Sequence, residues 1–456
     1  MSTRNNTIAA IATPSGTGAL GVVRLSGVAA VDIVRKIFVP VKGEWKPRSH
    51  RMVYGTIVNG SAPIDEVMLC YMRAPRSFTR EDVVEIYAHG GALPLHGVLN
   101  AALENGARLA LPGEFTQRAF LNGRINLTQA EAVMDIINAS SDTARTAGLR
   151  QLGGGLSNKI QACRNAIMKW LAHISLSIDY PEHEEEAANR ETILHEASAV
   201  LNDMQALLKT AVIGRILREG IKTAIVGAPN AGKSTLLNAI LGEDRAITHE
   251  LPGTTRDTLT EQIQIGGIPL VLIDTAGLRE TDDPVEQIGV TRSFAAARDA
   301  QLILYVVDGS EAGQALEYGI HEGQQQITII NKCDLPQEVH QGLIDVGSVP
   351  TVSISAKTGQ GMDALFTAIQ QACLTSGTSI AQVTESDVIT RERHRILLEQ
   401  AIAQINNALN DLRAGVAEDI AAIELRGAYL SLGHILGVEY ADDIVDRIFA
   451  EFCVGK

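Results

Sequence analysis

The stretch Gly227-Ala-Pro-Asn230-Ala231-Gly232-Lys233-Ser234 constrains this chain more than any other part of it. It fits G-x-x-x-x-G-K-[ST] and stands directly after the apolar run TAIVG and before the helical run TLLNAIL, the setting the pattern requires. Glycines at such a turn let backbone N–H groups close around phosphate oxygens, and the helix that follows adds a field favourable to negative charge. In that cradle Lys233 would neutralise the β- and γ-phosphates and the Ser234 hydroxyl would ligate Mg2+. Asn230, Ala231, Gly232 and Thr235 complete the expected contacts, and a nucleoside triphosphate is the natural ligand.

Four further elements follow in order. Residues 220 to about 378 alternate apolar runs (TAIVGA, LVLID, LILYVVD, ITIINK) with helical ones, which predicts a mainly parallel α/β sheet. Asp274-Thr275-Ala276-Gly277 follows LVLID, so Asp274 would hold Mg2+ through water while the Gly277 N–H senses a γ-phosphate. Before it lies a Gly/Pro-marked loop containing His249, Glu250, Leu251, Pro252, Gly253, Thr254 and Thr255. There a Thr hydroxyl can complete the Mg2+ shell only when triphosphate is bound, and Thr255 is the expected ligand. Asn331-Lys332-Cys333-Asp334 follows ITIIN, and the Asp334 carboxylate can accept hydrogen bonds from guanine N1–H and the 2-amino group. Adenine offers no matching donors, so the base is guanine and the ligand GTP. Ser355-Ala356-Lys357, at the end of TVSIS, can add a backbone N–H to the guanine carbonyl.

Signalling GTPases place a water-orienting Gln immediately after the DxxG glycine, where this chain has Leu278, so the catalytic group must come from elsewhere. The candidates are Glu286, in the segment RETDDPVEQIG, and a monovalent cation held by Asn230. Taken alone, Glu286 reads first as an exposed carboxylate at a helix start.

A length of 456 residues calls for two or three domains. Short β-type runs (GALGVVRLSG, MVYGTIVNG, EVMLCYMRAP, DVVEIYAHGG) and the helical candidate ALPLHGVLNAALENGA predict an α+β domain over residues 1–121. Helical periodicity then covers 122–219, with Ala130, Val133, Met134 and Ile137 three and four apart, the run NAIMKWLAHISLSI, and a further helical stretch from Glu191 to about Arg218. The P-loop segment, 220–378, interrupts it, and helices return over 379–456, where Ile396, Leu397, Ile402, Ile405 and Leu409 line one expected face. The fold class is therefore multidomain, α+β and α/β, with an inserted Ras-like G domain and a discontinuous helical bundle whose two segments pack together.

A net charge of −14 excludes coating of nucleic acid by global charge and leaves only a local patch for RNA. Five scattered cysteines read as reduced thiols rather than a disulfide framework. No apolar run spans a bilayer and no signal segment opens the chain, so a cytoplasmic protein with no membrane association is expected.

The segments TIAAIATPSGTGALGVVRLSG, SFTREDVVEIYAHGG and PGEFTQRAFLNGRINLTQAEA, the GTTRD loop, DTAGLRE and the C-terminal Phe452-Cys453-Val454-Gly455-Lys456 together resemble the MnmE (TrmE) family of bacterial tRNA-modification GTPases from end to end. The resemblance implies a cytosolic homodimer paired through its N-terminal domains, whose G domains approach one another during a potassium-stimulated hydrolysis. By the same resemblance Asn230, His249, Leu251 and Thr254 would hold K+, and Glu286 would orient the water. It also implies a heterotetramer with the flavin-using protein MnmG that modifies C5 of the wobble uridine of certain tRNAs to a carboxymethylaminomethyl or aminomethyl group. A tetrahydrofolate one-carbon derivative, 5-formyl or methylene, would lie near Arg24, Glu85, Arg124 and Lys456, with Cys453 as a candidate catalytic thiol in the same region. On the residues alone, Arg24 reads as a surface cation, Glu85 as half of a salt bridge and Cys453 as a small packed residue. The G-domain motifs by themselves also allow a ribosome-assembly GTPase, or a regulatory GTPase without RNA chemistry.

Overall fold

Alternation of apolar and polar residues through the first ninety positions produces strands with one buried face, and the three-and-four spacing beyond them produces helices. The computed structural model describes residues 6–14, 16–179, 186–242, 261–273, 298–311, 323–338, 349–373, 386–438 and 442–456. They divide into two units, Met1–Met134 with Gly433–Lys456, and Asp135–Leu432.

The first unit begins β1 (Ile8–Ile11), β2 (Leu20–Ser26), α1 (Ala30–Ile37), β3 (Phe38–Pro40), β4 (Arg51–Asn59), β5 (Ala62–Met72), β6 (Val83–His89), α2 (Ala92–Glu104) and β7 (Arg108–Leu109). The sheet order is β3-β4-β5-β6-β2-β1-β7, antiparallel except for the β1–β7 pair. Helices α1 and α2 cover the face that carries Val23, Leu25, Ile57, Leu69, Val84 and Ile86, all fully buried. Residues paired across β1, β2, β6, β5 and β4 place Ala10, Arg24, Glu85, Cys70 and Met52 in one row, one step out of phase with those core positions and so on the opposite face. The chain continues through α3 (Glu114–Leu121) and α4 (Leu127–Ile137). The four expected strands and the expected helix correspond to β2, β4, β5, β6 and α2, while β3 and β7, of three and two residues, are too short to show a period.

In the second unit the helices α5 (Asp142–Leu152), α6 (Gly155–Asp179), α7 (Glu186–Lys209) and α8 (Ala211–Glu219) lead into β8 (Ile221–Gly227) and α9 (Lys233–Gly242). Then come β9 (Glu261–Ile265), β10 (Ile268–Leu272), β11 (Leu302–Asp308), β12 (Gln325–Asn331), β13 (Thr351–Ser353) and α10 (Met362–Cys373), and finally α11 (Glu392–Arg413) and α12 (Glu418–Leu436). A last helix, α13 (Asp442–Ala450), belongs to the first unit, where Val445 and Phe449 pack with Leu127, Ala130 and Met134.

The helix expected from Glu191 to Arg218 divides at Thr210, whose hydroxyl donates to the Leu207 carbonyl at 2.6 Å and accepts from the Ile389 N–H at 3.1 Å. A Cβ at Gly214 would stand 2.0 Å from the Ile389 carbonyl oxygen, so the returning chain lies directly on α8. Helix α11 packs on α7 and α8, joining the helical segments before and after the α/β insert as expected. Its buried stripe is Leu398, Ala401, Ile405, Ala408, Leu409 and Leu412, whereas Ile396 is 42% exposed and falls outside it. Ile405 and Leu409 of the expected face lie in the stripe while Leu397 and Ile402 are half-buried, and alanines that let the helices approach take the remaining places.

The insert is a six-stranded sheet ordered β13-β12-β11-β8-β10-β9, parallel except where β9 and β10 form a hairpin across Gly266 and Gly267. Strand β9 (EQIQI) hides in the sequence because only Ile263 and Ile265 turn inward.

Asp135, at the end of α4, accepts hydrogen bonds from Arg391 at 2.8 Å and from the Thr390 hydroxyl at 3.2 Å, with Arg218 at 3.8 Å. It thus ties together the points where the chain enters and leaves the α/β insert. Removing a shared, nearly buried acceptor leaves the guanidinium charges poorly compensated. Asp135→Ala should therefore lower the unfolding free energy by about 3 kcal/mol, read from a urea titration followed by circular dichroism.

Candidate active site

Strand β8 lies between β11 and β10, so the loop after it opens at the carboxyl end of the sheet's interior, where parallel α/β folds place their ligands. A Cβ at Gly227 would stand 2.2 Å from the Val306 carbonyl oxygen, so only glycine lets the strand leave β11 there. Asn230 (φ 62°) and Gly232 (φ 92°) take left-handed conformations that turn the loop back onto α9. Lys233, the first residue of that helix, donates through Nζ to the carbonyls of Gly227 at 3.1 Å and Ala228 at 2.8 Å, which folds its ammonium over the loop. Ser234 and Thr235 follow in the first turn, half-buried and exposed.

Asn331, at the end of β12, is buried and bridges two loops. Its Nδ2 donates to the Ala231 carbonyl at 2.9 Å, and its Oδ1 accepts from the Ala356 N–H at 3.0 Å. Gly232 leaves the room for this, since a Cβ there would stand 2.2 Å from Asn331 Nδ2. The Cys333 N–H donates to the Ile354 carbonyl at 3.0 Å, a second tie between the same segments. Lys332 adopts φ 62° and pairs with Asp308. Burial alone would raise the Asp308 carboxyl, but hydrogen bonds from Lys332 and Ser310 outweigh it and hold the group below the usual carboxylate range. Asp334 is exposed, and the Ser355 hydroxyl, followed by the charges of Lys357 and Lys332, lowers its carboxyl, so it remains an ionised acceptor. Ser355 and Ala356 are buried while Lys357 is exposed.

The structure therefore brings residues 230–235, 331–334 and 355–357 to one end of the sheet. His249, Glu250, Leu251, Pro252, Gly253, Thr254 and Thr255, then Asp274, Thr275, Ala276 and Gly277, and Glu286 lie outside the described residues. Asp308, which braces Lys332, was not foreseen; its signal is a carboxylate closing the run LILYVVD next to the strand that carries Asn331.

In the first unit a second cluster forms. Arg24 donates through Nε to Glu85 Oε1 at 2.9 Å, its Nη2 lies 2.8 Å from the same oxygen, and its Nη1 donates to the Gly455 carbonyl at 3.2 Å. Its guanidinium is 5.7 Å from the ring centroids of both Phe78 and Phe115, and that of Arg124 is 4.8 Å from Phe78. Arg124 also donates to the Phe78 carbonyl at 3.0 Å; partial burial, then the neighbouring Arg80, lowers its pKa. The Cys453 carbonyl accepts from the Gly113 N–H at 3.2 Å, while Cys453 itself is exposed and Lys456 half-buried. Glu85 is thus half of a salt bridge, as its residue type suggested, whereas Arg24 is its largely buried partner rather than a surface cation, and Cys453 is not packed away. Phe78 and Phe115 were missed, because an aromatic in a loop or on a helix carries no mark of the cations beside it. All five cysteines are free thiols, and no helix among the described residues is long and apolar enough to cross a membrane.

Residues 7–124 match the family model described as the GTP-binding protein TrmE N-terminus, and residues 127–453 match the MnmE helical domain. Among curated relatives, the tRNA modification GTPase MnmE of Geobacillus kaustophilus (strain HTA426) is 44% identical over 465 residues, covering 100% of both chains. The proteins of the same name from Listeria welshimeri and Roseiflexus castenholzii are each 43% identical, covering 99% of both chains.

Guanine offers donors at N1 and the 2-amino group, whereas xanthine has a carbonyl at C2. Asp334→Asn should therefore lose GTP affinity by about two orders of magnitude and gain affinity for xanthosine triphosphate. Titration with fluorescent analogues of both nucleotides reads the exchange.

Proposed function

The chain belongs to the MnmE family of tRNA modification GTPases, and from that premise we propose that it couples GTP hydrolysis to modification of the wobble uridine at C5 in certain tRNAs. The observation that carries the nucleotide half of this reading is the Asn331 bridge, which holds the phosphate loop and the base-reading segments in one assembly.

Within that assembly each group has a task. The N–H groups of residues 230–235 and the Lys233 ammonium would receive the phosphates, and charge developing on the γ-phosphoryl oxygens in the transition state would be met by groups already oriented. Asp334 would read the guanine N1–H and 2-amino group, and a backbone N–H of the segment 355–357 would meet the guanine carbonyl. The donor set suits Mg2+, with hydroxyl oxygens at Ser234 and Thr255 and a carboxylate at Asp274; when bound, the ion neutralises phosphate charge. Asn230 presents an exposed amide on a left-handed turn beside the phosphate loop, and its oxygen is the kind of hard donor that suits K+, with His249, Leu251 and Thr254 completing the set. Glu286 would orient the attacking water, the task that Leu278 cannot perform. Pairing of two G domains in a homodimer would complete the site during hydrolysis.

The RNA half rests on the first unit. Two guanidinium groups share the Phe78 ring and a third cation, Arg80, stands beside Arg124. Cations over aromatic rings suit a flat heterocycle bearing carboxylates, so Arg24, Glu85, Arg124 and Lys456 would hold a tetrahydrofolate derivative. When bound, that group supplies the one-carbon unit. Cys453 would act as a thiol at the same place, and a heterotetramer with MnmG on a tRNA substrate in the cytoplasm would complete the reaction.

Hydrolysis measured in potassium and sodium buffers at matched ionic strength tests the mechanism. Strong stimulation by potassium is expected, abolished in Asn230→Ala, with Glu286→Ala at least about a hundredfold slower. Equal rates in the two salts would remove the cation from the reading. Deletion of the gene should erase the modified wobble uridine from digested tRNA, and normal modification without the protein would sink the RNA half.

A further inference from the structure

The outer face of the first unit's sheet carries a chain of hydrogen bonds that ends on the C-terminal tail. Tyr87 stands two residues beyond Glu85 on β6, hence on the same face. Its hydroxyl donates to Glu85 Oε2 at 2.6 Å, leaving Oε1 to receive Arg24 Nε at 2.9 Å and to face Nη2 at 2.8 Å. With two edges of the guanidinium so fixed, the remaining nitrogen, Nη1, points at the Gly455 carbonyl, 3.2 Å away. The tail can reach that donor only because Gly455 lacks a side chain. It lies at φ 89°, and a Cβ there would stand 2.4 Å from the Ile11 carbonyl oxygen and 3.0 Å from Ala12 Cα. Gly113 provides a second close approach, with φ 66°, its missing Cβ 2.4 Å from the Phe449 carbonyl oxygen, and its N–H bonded to the Cys453 carbonyl.

We infer that Tyr87 is a positioning residue: by orienting Glu85 it fixes Arg24, and Arg24 thereby latches the tail Cys453–Lys456 onto the backbone of Ile11 and Ala12 at the carboxyl end of β1. The inference deepens the proposed function and rests on its assignment of the tail to the modification reaction. Arg24 accordingly makes two hydrogen bonds and an ion-pair contact to protein groups and is an anchor for the tail as well as a cation for a ligand. Burial, then the hydrogen bond to Glu85, pushes the Tyr87 hydroxyl up to about 12, so it keeps its proton, and its role as donor, throughout the neutral range. The chain is charge-assisted at every link, the first through the Glu85 carboxylate, which makes its geometry sensitive to the loss of one hydroxyl.

Carboxypeptidase B, which removes a C-terminal lysine only from an accessible tail, reads the latch directly on the full-length protein, with release of Lys456 followed by intact-mass spectrometry. Tyr87→Phe should release Lys456 about tenfold faster than the parent, the effect of losing one charge-assisted hydrogen bond, with GTP hydrolysis and melting temperature unchanged. Arg24→Lys keeps the charge but lacks the planar fork whose separate nitrogens reach Glu85 and Gly455, so it should release Lys456 at least as fast, and it decides the matter should Tyr87→Phe fail to fold. Release at the parent rate in both variants overturns the latch. Faster release with the wobble uridine still modified in cells carrying Tyr87→Phe would leave the latch standing and remove the tail from the reaction, so the two failures are distinguishable.

Discussion

One buried amide, that of Asn331, holds together the loops at the carboxyl end of the second unit's sheet. It satisfies the Ala231 carbonyl with its nitrogen and the Ala356 N–H with its oxygen, two backbone groups in loops separated by more than a hundred residues of chain. Buried backbone groups must find partners, and neither loop supplies one for the other directly. An aspartate at 331 would lack the donor, and a longer side chain would enter the space that Gly232 leaves open. The phosphate loop and the base-reading loop are therefore not independent sites on a common sheet. Their spacing is set by the length of one side chain.

That dependence explains which parts of the fold could be read from residues alone. The strands β8, β11 and β12 are apolar through their central residues because both faces of a central parallel strand are covered, and each ends in residues whose chemistry is legible at once. Gly232 and Asn331 appear in their motifs, yet the reason for each is the other, and no single segment contains that pair. The hairpin strand β9 escaped for the opposite reason. As an edge strand with one half-buried side it carries alternating glutamines, which in sequence look like loop. The displaced face of α11 has a third cause: close helix packing selects Ala401 and Ala408, and a search for large apolar residues favours Ile396 instead.

In the first unit legibility fails differently. Arg24 and Glu85 are sixty-one positions apart and become neighbours only through the β2–β6 register, so their pairing is a property of the sheet. The two phenylalanines beside Arg24 sit in the loop before β6 and on α3, and nothing in their own segments requires a cation. A sequence can announce a site made from one turn, such as the phosphate loop. A site assembled from a strand row, a loop, a helix and the last residues of the chain becomes visible only when the backbone is in place.

The two clusters also differ in how much freedom they keep. Around Asn331 the amide and its two backbone partners satisfy one another, which fixes residues 331–334 and 355–357 before any ligand arrives and spares binding the cost of ordering them. The tail in the first unit is held instead by one hydrogen bond from Arg24, one from Gly113 and two glycine contacts, with Cys453 left exposed. Few buried contacts mean a low free energy of local opening, so the tail can be seated or lifted at small cost while the sheet beneath it stays intact. The second unit thus carries its order into binding, while the first keeps a short segment that opens with the rest of its packing intact.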